Sequence, residues 1–138
     1  MKENRLRKLL DAGKPTIGTR LQQVSPAVVE AVGNTGMFDY VEFLAEYAPF
    51  DMQALDNFCR AAELYDMSTM IKVDREPRRF LAQRAIGSGF QSVLFADCYS
   101  AEEARECVRI VRPETPQDGG AYGAALRRFA YTYAGGPE

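Results

Sequence analysis

Short apolar runs alternate with amphipathic segments along most of this 138-residue chain. The apolar runs cover about residues 16–21, 38–44, 69–73 and 92–96, and each has the length of a buried strand. Apolar residues at helical spacing follow every run. Strands that are apolar throughout and alternate with helices are typical of a parallel sheet covered by helices. The pattern therefore predicts an α/β protein of four βα units, preceded by a helix over about residues 3–12.

Capping residues predict where the helices begin. Ser25 is a good N-cap and is followed by Pro26, which suits the first helical position. Asp51 can cap the next helix, a further helix starts at about Pro77, and Ser100 with the glutamate three residues later forms a capping box. The residues predicted to face inward are Val28, Val29 and Val32, then Ala54, Leu55, Phe58, Ala62 and Tyr65, then Phe80, Leu81 and Ala85, and finally Ala104, Cys107, Val108 and Val111.

Four βα units make half of a TIM-type (β/α)8 barrel, which needs about 250 residues. We expect residues 1–112 to form this half-barrel, and residues 113–138, which are rich in glycine, proline and tyrosine, to form a lid or an oligomer contact. A half-barrel exposes the edges of its first and fourth strands, and such edges associate readily. We therefore expect a homo-oligomer, or a partner that supplies the other half. The alternative is a small doubly wound sheet, although no glycine-rich dinucleotide fingerprint follows the first strand.

Composition narrows the classes of function. The net charge of −2 and the pI near 5.3 provide no basic surface for nucleic acid. No apolar run approaches the roughly 20 residues that cross a bilayer, and no signal peptide precedes the first helix, so we expect a cytoplasmic protein without a membrane partner. The three cysteines, Cys59, Cys98 and Cys107, are odd in number and are interpreted as free thiols instead of a disulfide framework or a zinc cluster.

Several sequence segments occur in the order found in a known enzyme family. They are residues 4–15, 36–40, 46–51, 87–95 and 101–105, and the third of them reads Glu-Tyr-Ala-Pro-Phe-Asp. In these segments the chain resembles the N-terminal half of the HpcH/HpaI aldolases, a family of class II pyruvate-type aldolases, over residues 2 to about 134. The resemblance implies a lyase that reversibly cleaves a carbon–carbon bond of a small hydroxy-ketoacid and gives pyruvate or a similar ketoacid.

The resemblance also implies roles for individual residues. The loop after the second strand usually reads Glu-His in the family, whereas here it reads Glu46-Tyr47, and the chain contains no histidine. Glu46 and Tyr47 are therefore the candidate catalytic residues, although a phenol is a weak base at neutral pH and Tyr47 suits hydrogen bonding or plain packing equally well. Lys72 stands where the family carries an arginine that grips the substrate carboxylate, and Arg20 can assist it. A solvated rim position and a Schiff-base role are the alternatives for Lys72.

A divalent metal, Mg or Mn, is expected from the resemblance, with ligands on later strands that this chain does not contain. Glu42 and Asp97 do not match those ligand positions and are expected to be capping or solvated groups. Three functions stay open: an active lyase, a non-catalytic half-barrel that is a scaffold or a fragment, and a module that binds small carboxylic acids without turnover.

Overall fold

A computed structural model describes residues 3–123 and shows one four-stranded parallel sheet in them. Its strands follow the order of the chain with no reversal, as in a barrel, whereas a doubly wound sheet reverses its strand order. The predicted class of four βα units is therefore confirmed. The elements are α1 (Arg5–Asp11), β1 (Gly18–Leu21), α2 (Pro26–Asn34), β2 (Tyr40–Leu44), a 3-10 helix (Ala45–Tyr47), α3 (Met52–Glu63), β3 (Ser68–Val73), α4 (Arg78–Ser88), β4 (Ser92–Phe95) and α5 (Ala101–Val111).

The sheet has two different faces, because successive side chains along a strand point to opposite sides. The helix face carries Val41, Phe43, Ile71 and Val73, which are fully buried in the main core together with residues of α3 and α4. The strand register arranges the opposite face, here called the inner face, in rows. The rows are Gly18, Tyr40 and Ser68, then Arg20, Glu42, Met70 and Ser92, then Leu44, Lys72 and Leu94.

Most of the predicted helix starts are correct. Asp51 accepts a hydrogen bond from Ala54 N at 2.7 Å, and Ser100 Oγ accepts one from Glu103 N at 3.1 Å. Helix α2 begins with Pro26 after Ser25, whose side chain makes no capping bond.

The predicted inward faces of the last two helices are partly wrong. Phe80 is exposed, and the guanidinium of Arg84 lies over its ring. Helix α4 instead buries a stripe that contains Arg78, Leu81, Ala82, Ala85 and Ser88. In α5, Cys107 and Ile110 are buried, whereas Ala104 and Val108 are exposed. The buried stripe of α4 includes the polar residues Arg78 and Ser88, which apolar character alone does not predict.

Helix α1 covers the amino-terminal end of the sheet. Leu6 N donates a hydrogen bond to Ser68 Oγ at 3.0 Å, and Asn4 Nδ2 donates to Gln91 O at 3.2 Å. These contacts join α1 to β3 and to the start of β4. Helix α1 therefore lies over the amino-terminal end of the sheet and leaves the carboxyl ends of the strands uncovered.

Residues 113–123 fold back onto α4 and α5. Gln83 Nε2 donates to Ile110 O at 3.0 Å and to Ala121 O at 2.8 Å, and Pro113 forms a parallel bridge with Tyr122. Burial raises the pKa of the Tyr122 phenol. The remainder of the predicted lid or oligomer contact lies outside the described residues.

Among residues 3–123, no helix combines the length and the apolar character that crossing a bilayer requires.

Candidate functional site

Glu46, Tyr47 and Lys72 meet at the carboxyl ends of β2 and β3. Lys72 lies between Leu44 and Leu94 in the last row of the inner face, and the 3-10 helix after β2 brings Glu46 into an ion pair with its ammonium group. Lys72 Nζ also donates to Tyr47 Oη at 3.4 Å and lies 4.9 Å from the centroid of the Tyr47 ring. The side chains of Lys72 and Glu46 are 21% and 16% exposed. Three of the four predicted site residues therefore form one cluster, in which Lys72 and Glu46 are largely buried and Tyr47 is exposed.

The electrostatics of this cluster keep both partners charged. The contact with Glu46 raises the pKa of Lys72, partial desolvation opposes this change, and Tyr47 adds to it. In the same way, Lys72 lowers the pKa of Glu46 against partial desolvation, with a smaller contribution from Tyr47. A lysine nucleophile must be neutral, so this environment argues against the Schiff-base role. It favours a cation that binds an anion.

Arg20, the fourth predicted site residue, pairs with a different carboxylate. Its Nε lies 3.4 Å from Glu42 Oε2, and their side chains are 61% and 7% exposed. The expectation that Glu42 is a capping or solvated group is wrong, because Glu42 lies on the inner face between Arg20 and Met70. Glu42 Oε1 is buried and has no hydrogen-bond partner among residues 3–123. A buried oxygen of this kind is costly unless a donor reaches it.

Arg75 and Asp97 are two further charged residues near the carboxyl ends of the strands. Arg75 donates to Glu103 at 2.6 Å and lies over the ring of Tyr99, so it points toward α5. Asp97 is exposed and has a positive φ of 53°, as expected for a solvated loop residue.

The described residues do not fit the divalent metal that the resemblance implies. Within residues 3–123, no three side chains of the Cys, Asp or Glu type are gathered as a metal would require. Glu42 and Glu46 each already lie beside a cation, which repels a second positive charge. No metal-dependent step is therefore assigned to this part of the chain.

Two features of this end of the molecule were not predicted from the sequence. The first is the burial of Glu42. The sequence signal for it is a charged residue that stands between two apolar residues of one strand, Val41 and Phe43. The second is a contact between the buried Arg78 guanidinium and the sulfur atoms of Cys98 and Cys107. No spacing rule brings these three residues together, because the fold alone places α4 beside α5.

Known proteins resemble the chain over about half of their own length. No family model matches the sequence. A hydroxypyruvate/pyruvate aldolase of Agrobacterium fabrum is 26% identical over 126 residues, which are 91% of this chain and 46% of the aldolase. The chain thus spans about half the length of the curated relative that it matches.

Solved structures show the same relation. An HpcH/HpaI aldolase/citrate lyase family protein of Burkholderia cenocepacia superposes with a TM-score of 0.81 at 27% identity, over 94% of this chain and 51% of that one. An HpcH/HpaI aldolase of Desulfitobacterium hafniense gives a TM-score of 0.78 at 25% identity, over 93% and 48% of the two chains. The predicted half of a TIM-type barrel is confirmed by these superpositions. Together the matches relate the chain to the HpcH/HpaI aldolase/citrate lyase family, over a portion that corresponds to the family's N-terminal half.

Proposed function

We propose that this chain supplies half of an aldolase site of the HpcH/HpaI type, which cleaves a small hydroxy-ketoacid and gives pyruvate or a similar ketoacid. The observation that carries the proposal is the cluster of Glu46, Tyr47 and Lys72 at the carboxyl ends of β2 and β3. Barrel enzymes place their active sites at this end of the strands. The relation to the aldolase family supports the type of reaction.

Lys72 binds the carboxylate of the ketoacid in this proposal. Its ammonium group has three donors, and the contacts with Glu46 and Tyr47 use two of them. A substrate carboxylate therefore shares Lys72 with Glu46 or displaces it. Arg20 is largely exposed and meets Glu42 through Nε, so the outer edge of its guanidinium is available to a second carboxylate of the substrate. Lysine orients a carboxylate less strictly than arginine does. A second cation, here Arg20, therefore helps to fix the orientation of the substrate.

Tyr47 is proposed as the proton donor. Its hydroxyl lies beside Lys72, so a carboxylate on Lys72 brings the reacting end of a ketoacid near Tyr47 Oη. The carbon that becomes the methyl group of pyruvate must gain a proton after the carbon–carbon bond breaks, and a phenol can donate one. Where Glu46 shares Lys72 with the substrate, it holds the ammonium group in place and keeps it charged.

A second copy of the chain is proposed to complete the barrel. In the described residues, β1 and β4 each pair with a strand on one side only. Among the same residues, the buried Glu42 Oε1 has no hydrogen-bond donor. A second half would cover the inner face, pair the open strand edges, and could provide that donor. On this view residues 1–112 form the half-barrel and residues from 113 onward a contact between copies.

Binding without turnover is the second candidate function. It is favoured by the lack of a metal-ligand group among residues 3–123 and by tyrosine at the position where histidine is usual in the family. In this case Lys72, Arg20 and Tyr47 hold a small carboxylic acid, and the half-barrel is a scaffold.

The test follows deuterium exchange into the methyl group of pyruvate by proton NMR, with the purified chain in the presence and in the absence of Mg²⁺ or Mn²⁺. Exchange measures removal and return of the proton that an aldolase must handle. Lys72→Met is the informative variant, and Lys8→Met is its matched control, because Lys8 also pairs with a glutamate, Glu3, but on α1 at the surface. We expect exchange that Lys72→Met abolishes and Lys8→Met leaves unchanged.

Two other outcomes decide between the candidates. Thermal stabilisation by pyruvate that requires Lys72, without exchange, would support binding alone. If pyruvate causes no stabilisation and no exchange occurs, both functions are contradicted. Light scattering of the same sample measures its mass, and a monomer at every concentration would contradict completion of the barrel by a second copy.

A further inference from the structure

Two thiols and a buried guanidinium lie together beside the helix pair α4 and α5, apart from the Lys72 cluster. The sulfur atoms of Cys98 and Cys107 are 3.6 Å apart. Arg78 Nη1 lies 3.1 Å from the sulfur of Cys107 and 3.7 Å from that of Cys98. The sequence interpretation of free thiols is correct for the reduced state, but these two thiols are neighbours.

Arg78 has unusual partners for a buried charge. It is 8% exposed, and its Nε donates to Arg75 O at 2.8 Å. Within residues 3–123 it forms no ion pair with a carboxylate, and the nearby Glu103 is already bound by Arg75 and by Tyr99 N. A buried guanidinium is normally paired with an anion. The groups here that can become anionic at its contact distance are the two thiols.

We propose that Cys98 and Cys107 are a reversible redox pair that hydrogen peroxide converts to a disulfide. Cys98 attacks the peroxide as its thiolate, breaks the oxygen–oxygen bond and becomes a sulfenic acid, with one water released. The thiol of Cys107 then displaces the hydroxyl of the sulfenic acid, the sulfur–sulfur bond forms, and a second water leaves. In total two thiols lose two electrons and two protons, and hydrogen peroxide becomes two waters.

The order of events follows from exposure. Cys98 lies in the exposed loop between β4 and α5, whereas Cys107 is 3% exposed. Burial raises the pKa of the Cys107 thiol, the Arg78 guanidinium opposes this effect, and the neighbouring Cys98 adds to the increase. Peroxides reach exposed thiolates first, so Cys98 is the attacking residue and Cys107 the resolving one.

Geometry and charge favour a disulfide over the other chemistry of paired thiols. A disulfide requires sulfurs about 2.05 Å apart, so the pair must close by about 1.6 Å, which the loop carrying Cys98 can supply. A metal site is disfavoured, because Arg78 places a positive charge against both sulfurs. The same charge stabilises the thiolate that starts the reaction.

The test treats the folded full-length chain with hydrogen peroxide and measures its mass, then digests it with trypsin. Trypsin cuts after Arg105 and thereby separates Cys98 from Cys107. We expect a chain lighter by two hydrogen atoms and a linked pair of tryptic peptides, both reversed by a dithiol reductant. Cys59 is an internal control, because it is fully buried in the main core and should stay reduced.

Variants make the proposal falsifiable even if the buried position tolerates change poorly. Cys98→Ser alters an exposed residue and should abolish the linked peptides, leaving Cys107 reduced. Cys107→Ser should leave Cys98 as a sulfenic acid that a dimedone probe captures. Oxidation of Cys98 to sulfinic acid in the unaltered chain with no link to Cys107 would overturn the proposal, as would a link between Cys98 residues of two chains.

The role of Arg78 has its own test. Arg78→Met should slow disulfide formation roughly three- to tenfold, because the thiolate of Cys98 loses a stabilising charge. Arg79→Met is the matched control, since the neighbouring Arg79 is exposed. Equal rates in the two variants would show that Arg78 only fills space.

Discussion

The two faces of the sheet differ in how completely the described residues cover them. On the helix face, Val41, Phe43, Ile71 and Val73 are all fully buried and apolar. On the inner face, Lys72 and Glu42 are charged, Leu94 is 39% exposed, and Arg20 reaches into solvent. The helix face thus has the character of a finished core, whereas the inner face is polar and half-open.

The comparison separates stability from function. The βα units bury the helix face of the sheet with their own helices, so nearby segments of the same chain are enough to cover this face. The inner face of a barrel is covered by other strands of the same barrel. Within residues 3–123, the four strands therefore complete one core and leave the other incomplete, and the ionisable side chains of the candidate site lie on the incomplete one.

The largest expected difference comes from truncating one large side chain on each face. Phe43 is fully buried and packs against Phe50 and Phe58, with ring centroids 5.6 and 5.8 Å away. Phe43→Ala should lower the free energy of unfolding by about 3–5 kcal/mol, measured by urea denaturation. Leu94→Ala, on the inner face, should lower it by about 0.5 kcal/mol or less. A loss at Leu94 that grows with protein concentration would mean that a second copy covers the inner face.

Replacing the buried carboxylate of the inner face should have a smaller effect of the opposite sign. Glu42→Leu removes a buried charge with one unpartnered oxygen and leaves Arg20, which is exposed, free to be hydrated. We expect the free energy of unfolding of the monomer to rise by about 1 kcal/mol, again by urea denaturation. Glu42→Gln is the control for the shape of the side chain. A marked loss of stability in Glu42→Leu would indicate that Glu42 has a donor partner, as completion of the barrel predicts.

The helix face could be predicted from the sequence, and the inner face only in part. Residues such as Phe58 and Ile71 are apolar and recur at the spacing of their helix or strand. The helix N-caps at Asp51 and Ser100 are also local signals. Signals of this kind are enough to predict the fold. The resemblance to the family indicated Glu46, Tyr47 and Lys72.

Contacts between segments that are distant in the sequence could not be predicted from the sequence pattern. Whether Glu42 is buried depends on its neighbours in the sheet, and the strand pattern alone gave it no partner. Arg78 lies in the buried stripe of α4, where hydrophobicity would instead place Phe80. Its guanidinium contacts two sulfur atoms from other segments, those of Cys98 and Cys107. Burial of charge is decided by tertiary contacts, which a pattern read along one segment does not contain.

A pH series should distinguish the ion pair of the inner face from an exposed one. Lys72 lowers the pKa of Glu46, so the pair stabilises the fold above the unfolded pKa of a glutamate, about 4.3, and this contribution is lost as the pH falls through the lower folded value. The pKa of Lys72 is raised, so its contribution is complete below its unfolded value and is lost as the pH rises through the higher folded one.

We therefore expect Glu46→Gln to melt at a lower temperature than the parent protein near neutral pH, and the gap to close in acid. Circular dichroism melting curves at a series of pH values measure it. Glu3→Gln, which breaks the surface pair with Lys8, should show almost no gap, because exposed pairs add little. Equal gaps for the two variants at neutral pH would contradict a special role for the half-buried pair.

The smallest effect on stability is expected at Tyr47, and there it is most informative about function. Tyr47 is 61% exposed, and its hydroxyl lies 3.4 Å from Lys72 Nζ. Tyr47→Phe keeps the ring beside the ammonium group, so the free energy of unfolding should change by no more than about 0.5 kcal/mol. If Tyr47 donates the proton, exchange of the pyruvate methyl group should nevertheless slow on the order of a hundredfold, with Lys72-dependent binding of pyruvate unchanged. Exchange at the unaltered rate would remove Tyr47 from the chemistry and leave its ring as packing for Lys72, whereas weaker binding would make its hydroxyl part of the carboxylate site.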